Sequence, residues 1–264
     1  NELKAVLGLE LTATPIDNKG DKFKNVVYEY SLAHGLRDGF LKDPAVATRR
    51  DFDPEQYRND PKELDLIKLE DGIRIHEDTK VALDIYSRDS GRLLVKPFVL
   101  VVAKDTTHAQ EIKDMIESDR FFEGRYREKV MEIHSNQRGG EKEENIQRLI
   151  ELEQPKNNIE IVIHVNMLKE GWDVTNLYTI IPLRASNSQI LTEQTIGRGL
   201  RLPYGKRTGD AKVDKLTIIA HDKFQEIVDE AKKPDSAIRL QQVILEPEQL
   251  GDKTVTVVSQ SQLA

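Results

Sequence analysis

Strands alternating with helices across residues 93–234 predict an α/β fold, a parallel sheet with helices on both faces. Pro97 to Ala103 is a nearly unbroken apolar run, as expected of a strand buried on both faces, and Ile159 to Val165 and Leu177 to Leu183 read as further strands. After the first of them, Ala109, Ile112, Met115 and Ile116 recur at helical spacing with Lys and Glu between. Right-handed crossovers then bring the loops after the strands to one edge of the sheet, where ligands usually bind.

Each element can be placed in order. Leu3 to Leu11 reads as a short strand running into Thr12-Ala13-Thr14-Pro15. Residues 16–92 carry mixed signals and are expected to be a partly structured connector, with a strand at Asn25–Tyr30 and a helix at Ser31–Arg37. Asp53-Pro54 and Asp60-Pro61 punctuate a polar stretch in which regular structure is not expected to persist. After the helix at 109–116, Val130–Ile133 is a strand and Asn145–Leu152 a helix with Ile146, Leu149 and Ile150 on one stripe. A helix starts at Ser188 and continues to Ile196, Leu216–Ala220 is a strand, and Phe224–Ala231 is a helix. Residues 235–264 form an extension ending in a possible strand, Thr254–Val258.

Composition narrows the function. The 264 residues include no Cys, which excludes disulfides, thiolate metal sites and a Cys nucleophile and suits a cytoplasmic protein. No run approaches the roughly 20 apolar residues of a membrane span. The chain carries 39 basic and 46 acidic residues, net −7, which argues against a wholly basic nucleic-acid binder. Between Arg184 and Arg207 the balance reverses: Arg184, Arg198, Arg201, Lys206 and Arg207 face one acid, Glu193. A phosphate-cradling Gly-x4-Gly-Lys-Ser/Thr loop is absent, as is a Gly-x-Ser-x-Gly elbow. The six His form no His-x3-His pair, so no metal site is expected. Asp229-Glu230 follows helical residues and reads as a solvated helix face.

Three segments stand out. Thr12-Ala13-Thr14-Pro15 places two hydroxyls at a strand's carboxyl end, or is an ordinary turn. Glu170-Gly171-Trp172-Asp173-Val174 follows a strand; its Gly permits close backbone approach and its Asp offers a carboxylate, while its Trp equally suits a core. Gln194–Pro203 carries Arg198 and Arg201 three apart among glycines, a spacing that can aim two guanidinium forks at one polyphosphate or build a structural salt bridge.

In order and spacing these segments resemble the later motifs of superfamily 2 helicases: Thr12–Pro15 motif III, Phe98–Lys104 motif IV, Glu170–Val174 motif V and Gln194–Arg201 motif VI. The runs VKPFVLVVAKDTTHAQEI, IHVNMLKEGWDVTNLYTIIPLR and EQTIGRGLRLPYGKRTG resemble the helicase-nuclease (Res) subunit of type III restriction-modification enzymes. The resemblance implies a RecA-like second motor domain over residues 93–234, preceded at 1–15 by the last strand of the first. It also implies that Gln194, Arg198 and Arg201 face the γ-phosphate and that Gly171, Asp173 and Gly197 bind nucleotide. Thr12, Thr14, Lys104 and Arg184 would couple nucleotide state to DNA. ATP with Mg2+ would be the cofactors, held mainly by a first domain upstream of Asn1, so the chain is expected to be a fragment. Duplex DNA and a modification methyltransferase subunit would be its partners. Val165 stands where many relatives carry Thr, and Leu200 replaces a common Gly. Another superfamily 2 motor, such as a type I restriction motor or an RNA helicase, and a non-catalytic α/β nucleic-acid-binding module are the alternatives.

Overall fold

The computed structural model describes residues 8–9, 23–30, 32–134, 147–165, 174–183, 196–222 and 241–246. Residues 1–31 form one unit and residues 32–264 another. In the first, residues 23–30 have no regular secondary structure, against the strand expected at Asn25–Tyr30. Val27 and Tyr28 are 85% and 78% exposed there. Among the described residues no neighbouring strand pairs with them, and β-branched residues alone do not make a strand.

The second unit begins with α1 (Leu32–Arg37), within the helix expected at 31–37. Its centre is a seven-stranded sheet of β1 (Asp43–Arg49), β2 (Phe98–Ala103), β3 (Val130–His134), β4 (Ile161–Val165), β5 (Leu177–Pro182), β6 (Lys215–Ile219) and β7 (Gln241–Leu245). The strands lie in the order β3-β4-β2-β5-β6-β1-β7, and every pairing is parallel. β2, β4 and β5 are buried along their whole length, which explains their unbroken apolar sequence. Val46, Leu100, Val162, Ile180 and Ile218 point to one face, where Leu149, Leu152, Ile196 and Leu200 cover them. Ala47, Val99, Val101, Ile163, Ile181 and Ile219 point to the other, under α2 (Pro61–Ser90) and α3 (Thr106–Glu117). Asp105 caps α3, its carboxylate accepting from His108 N.

The segment expected to be a connector instead builds part of this sheet. β1 sits between β6 and β7, and α2 is a 30-residue helix over the α3 face. Asp60-Pro61 does not break structure but starts it. The Asp60 carboxylate accepts from Glu63 N as N-cap, and Pro61 occupies the first turn, where a missing N–H costs nothing. Gly91 ends the helix in the left-handed region at φ 67°. Asp53 caps a 3-10 turn at Pro54–Tyr57 in the same way. α2 runs antiparallel to the strands. Lys68 Nζ donates to Pro182 O at β5's carboxyl end, whereas Lys80 pairs with Glu160, just before β4 begins. At the tail, β7 forms a strand at 241–245 that was not expected; Thr254–Val258, Phe224–Ala231 and Asp229-Glu230 lie outside the described residues. Among the described residues no helix is long and apolar enough to cross a membrane.

Candidate functional site

The carboxyl ends of the strands carry a layer of paired charges built from one stripe of α2. Asp65, Lys68 and Asp71 are all buried. Asp65 Oδ2 lies 3.0 Å from His108 Nε2, and His108 Nδ1 accepts from Lys104 N at 3.2 Å. That acceptor role fixes the ring tautomer, so Nε2 carries the proton donated to Asp65. The loop after β2 is thus pinned from beneath, and Lys104 presents an exposed side chain above it. Lys68 also pairs with Asp222, beyond β6. Asp71 accepts from Arg49 Nε at 2.6 Å and Nη2 at 2.8 Å, and His221 Nε2 lies 3.0 Å from its Oδ2. Burial alone would raise the Asp71 carboxyl, but His221 and Arg49 outweigh it and hold the group below its ordinary value.

The turn carrying the arginines lies at the opposite edge. Gly197–Gly199 is one turn of helix whose neighbours Ile196 and Leu200 are buried in the core. A Cβ on Gly199 would come 2.8 Å from Leu216 Cδ2 and 3.2 Å from Leu177 Cδ2, so only glycine seats here. Leu177 opens β5 and Leu216 is the second residue of β6, which places the turn at the amino edge. The turn therefore lies one strand length away from the loop after β2, roughly 16–20 Å. Lys104 and Arg201 are therefore not brought together. Arg201 is exposed, and its backbone bridges Leu41 in antiparallel fashion. The expected basic strip loses one member. Arg207 forks onto the Asp43 carboxylate and donates from Nε to Leu41 O, a structural role. Thr12, Thr14, Gly171, Asp173, Arg184 and Gln194 lie outside the described residues; of Arg198, the backbone within the turn is described.

Residue 42 ties this edge together and had no signal in the sequence. Lys42 is fully buried, and its Nζ donates to Thr175 O at 2.7 Å, Leu177 O at 2.8 Å and Gly199 O at 3.3 Å. Burial draws the ammonium's pKa well below its ordinary value, while Glu153 and Asp214 pull the other way. Glu153 in turn accepts from Thr175 N and Oγ1.

Among the described residues, His76, Glu77 and Glu160 bring three potential ligand atoms within 4.8 Å of one another. They do not fit a cation. Lys80 and Lys129 donate to Glu160 at 2.8 and 2.6 Å, and Lys80 donates to Glu77 at 2.9 Å, so lysine ammoniums already neutralise the carboxylates.

A parallel sheet covered on both faces, with an Arg-bearing Gly-rich turn after β5, is a RecA-like architecture. Residues 96–203 match the family model described as the helicase conserved C-terminal domain, which bears out the resemblance read from the sequence. The particular relatives are restriction enzymes. Over 109 residues, 34% of this chain, the sequence is 31% identical to the type III restriction-modification enzyme EcoPI Res subunit of Escherichia phage P1. The fold is similar to that of a fragment described as an HsdR subunit of a type I restriction enzyme from Vibrio vulnificus YJ016. That likeness has a TM-score of 0.53 and 21% identity, covering 89% of this chain and 43% of that one. The match spans 11% of the phage subunit, so this chain corresponds to a small part of it.

Proposed function

We propose that this chain is the C-terminal motor domain of the helicase subunit of a type III restriction enzyme, working on duplex DNA at the expense of ATP. The observation that supports it is the 31% identity to a type III Res subunit over a stretch folded as a helicase C-terminal domain. In this reading residues 1–15 end a first motor domain, and the second motor, assigned to 93–234, is completed by β1 and α2 of the preceding segment and extended by 235–264. The first domain supplies the phosphate loop and the Mg2+ carboxylates, and the nuclease and the methyltransferase partner lie outside this chain. The enzyme works in the cytoplasm.

Lys104, Arg184 and the hydroxyls of Thr12 and Thr14 meet DNA, mainly at phosphates and hence without reading sequence. Gly171, Asp173 and Gly197 line the nucleotide, with Gln194, Arg198 and Arg201 toward its γ-phosphate. A guanidinium there stabilises the charge spread over the phosphoryl oxygens more in the transition state than in the ground state. In the longer enzyme, Arg198→Ala or Arg201→Ala should lower ATP turnover on the order of 10³-fold. Binding of nucleotide should fall less, and Lys at either position should rescue poorly because an ammonium lacks the planar fork. This chain alone should hydrolyse no ATP. Normal DNA-stimulated hydrolysis in a folded double variant overturns the assignment.

A further inference from the structure

Lys42 belongs to none of the segments that the helicase resemblance singles out, yet three of the chain's distant stretches end on it. Thr175 and Leu177 lead out of the stretch containing Gly171 and Asp173. Gly199 and Leu200 end the arginine turn: Gly199 O accepts from Lys42 Nζ, and Leu200 O accepts from Lys42 N at 2.7 Å. Leu41, beside it, bridges Arg201. The third stretch is β1 itself, which starts at the next residue. The last carbonyls of a helical turn lack partners within it, and here residue 42 supplies them. Three carbonyls match the three N–H bonds of an ammonium, and the Tyr178 ring lies 3.9 Å from Nζ on a further side. A side chain of equal length without donors would leave these carbonyls facing a buried apolar group.

We propose that Lys42 is a positioning residue for the nucleotide site: its ammonium fixes the spacing between the stretch after Asp173 and the turn carrying Arg198 and Arg201. The assignment rests on the ATP-site reading above. Lys42 touches neither nucleotide nor DNA. It acts through the backbone it holds, and because it immediately precedes β1, it ties the arginine turn to the sheet.

The test separates the strut from the site. In this chain, amide hydrogen exchange of Lys42→Met should show lost protection at Thr175–Leu177 and Gly199–Arg201, with β2 and β4 unchanged. Protection equal to wild type in those stretches overturns the proposal, whatever the enzyme does. In the longer enzyme, at a temperature where Lys42→Met is folded, kcat for ATP should fall roughly 10²-fold with KM moved far less, the pattern of misplaced groups. Wild-type kcat in that variant also overturns it. Absence of ATP hydrolysis in the unaltered enzyme counts instead against the proposed function. Should Lys42→Met fail to fold, the cysteine-free sequence offers chemical rescue. In Lys42→Cys, the thiolate formed in denaturant by loss of the thiol proton to buffer attacks 2-bromoethylamine, forms the S–C bond and displaces bromide, which gives an ammonium at lysine's reach; alkylation with 1-bromopropane gives the same length without charge. Refolding and protection restored by the ammonium alone support the strut. Equal restoration by both reagents shows that shape suffices and overturns it.

Discussion

Gly72 lies in the middle of α2, where alanine would ordinarily stabilise a helix by about 1 kcal/mol. Here its Cβ would come 2.3 Å from Ile181 Cδ1 and 2.8 Å from Ile181 Cγ1, more than 1 Å inside carbon–carbon contact. Ile181 is fully buried in β5 and packed among its neighbours. Overpacking of this kind costs about 1–3 kcal/mol, so after the roughly 1 kcal/mol gained in helix propensity Gly72→Ala should show a net loss of up to about 2 kcal/mol. In a domain of this size that corresponds to a melting point lower by up to about 8 °C. Ile181→Val removes Cδ1 and by itself costs about 0.5–1.5 kcal/mol. In the double variant the worst overlap is gone, so its loss should fall short of the sum by about 1 kcal/mol. Urea unfolding of the four proteins gives the cycle. Losses additive to within about 0.5 kcal/mol, or a stabilised Gly72→Ala, refute the close seating of α2 on β5.

Acid should destabilise the domain in two stages. Burial pushes the His76 imidazole below its usual 6.5, so its protonation favours the unfolded chain and stability begins to fall below about pH 6.5. Burial would raise the Glu160 carboxyl, but His76, Lys129 and Lys80 hold it well below 4.5. Tyr126 and Lys80 do the same for Glu77. Their contribution is present above about pH 4.5 and lost as pH falls through the lowered folded values. Unfolding free energies from pH 8 to 3 should show both stages, and Glu160→Gln should flatten the lower one; a flat profile in the unaltered chain contradicts this. Asp71→Asn leaves Arg49 facing a neutral amide in a buried site and should cost about 3 kcal/mol, near the low end for a broken buried pair because Arg49 is 20% exposed. Replacing both residues by apolar ones should recover most of that loss, and a single-variant cost under about 1 kcal/mol would show that the pair carries no stability.

The strands β2, β4 and β5 were legible as apolar runs in a sheet covered on both faces, and β3 and β6 as shorter runs interrupted by polar residues. β1 was not. Its sequence, Asp-Pro-Ala-Val-Ala-Thr-Arg, is short and built largely of small residues, although five of its seven positions are buried. α2 was hidden for another reason. Its buried side includes Asp65, Lys68, Asp71, His76 and Thr79, so no apolar stripe marks it, and only partners distant in sequence make those residues fit. Its Asp-Pro start carried a capping signal that also reads as a break. At the site, the spacing of Gly197, Gly199 and Arg201 was visible, and the tight seat of Gly199 explains the glycine. What spacing along a chain cannot convey is which edge of the sheet a helix end reaches. A lone lysine beside Asp43-Pro44 likewise gives no hint that it meets carbonyls more than a hundred residues away.

The position of β1 between β6 and β7 also has a consequence for synthesis. Asp43 pairs with Lys215, 172 positions later (215 minus 43). At roughly 5–20 residues per second a ribosome needs roughly 9–34 s to cover that distance, so β1 and α2 emerge long before their places in the sheet exist. An ordinary amphipathic helix would spend that interval with a sticky apolar face exposed. On the face α2 will bury, Asp65, Lys68 and Asp71 share the surface with Leu69 and Ile73, and water solvates those charges well until His108, Pro182, His221 and Asp222 arrive to receive them. Those charges leave the waiting helix less apolar face to expose while its sheet is still being made.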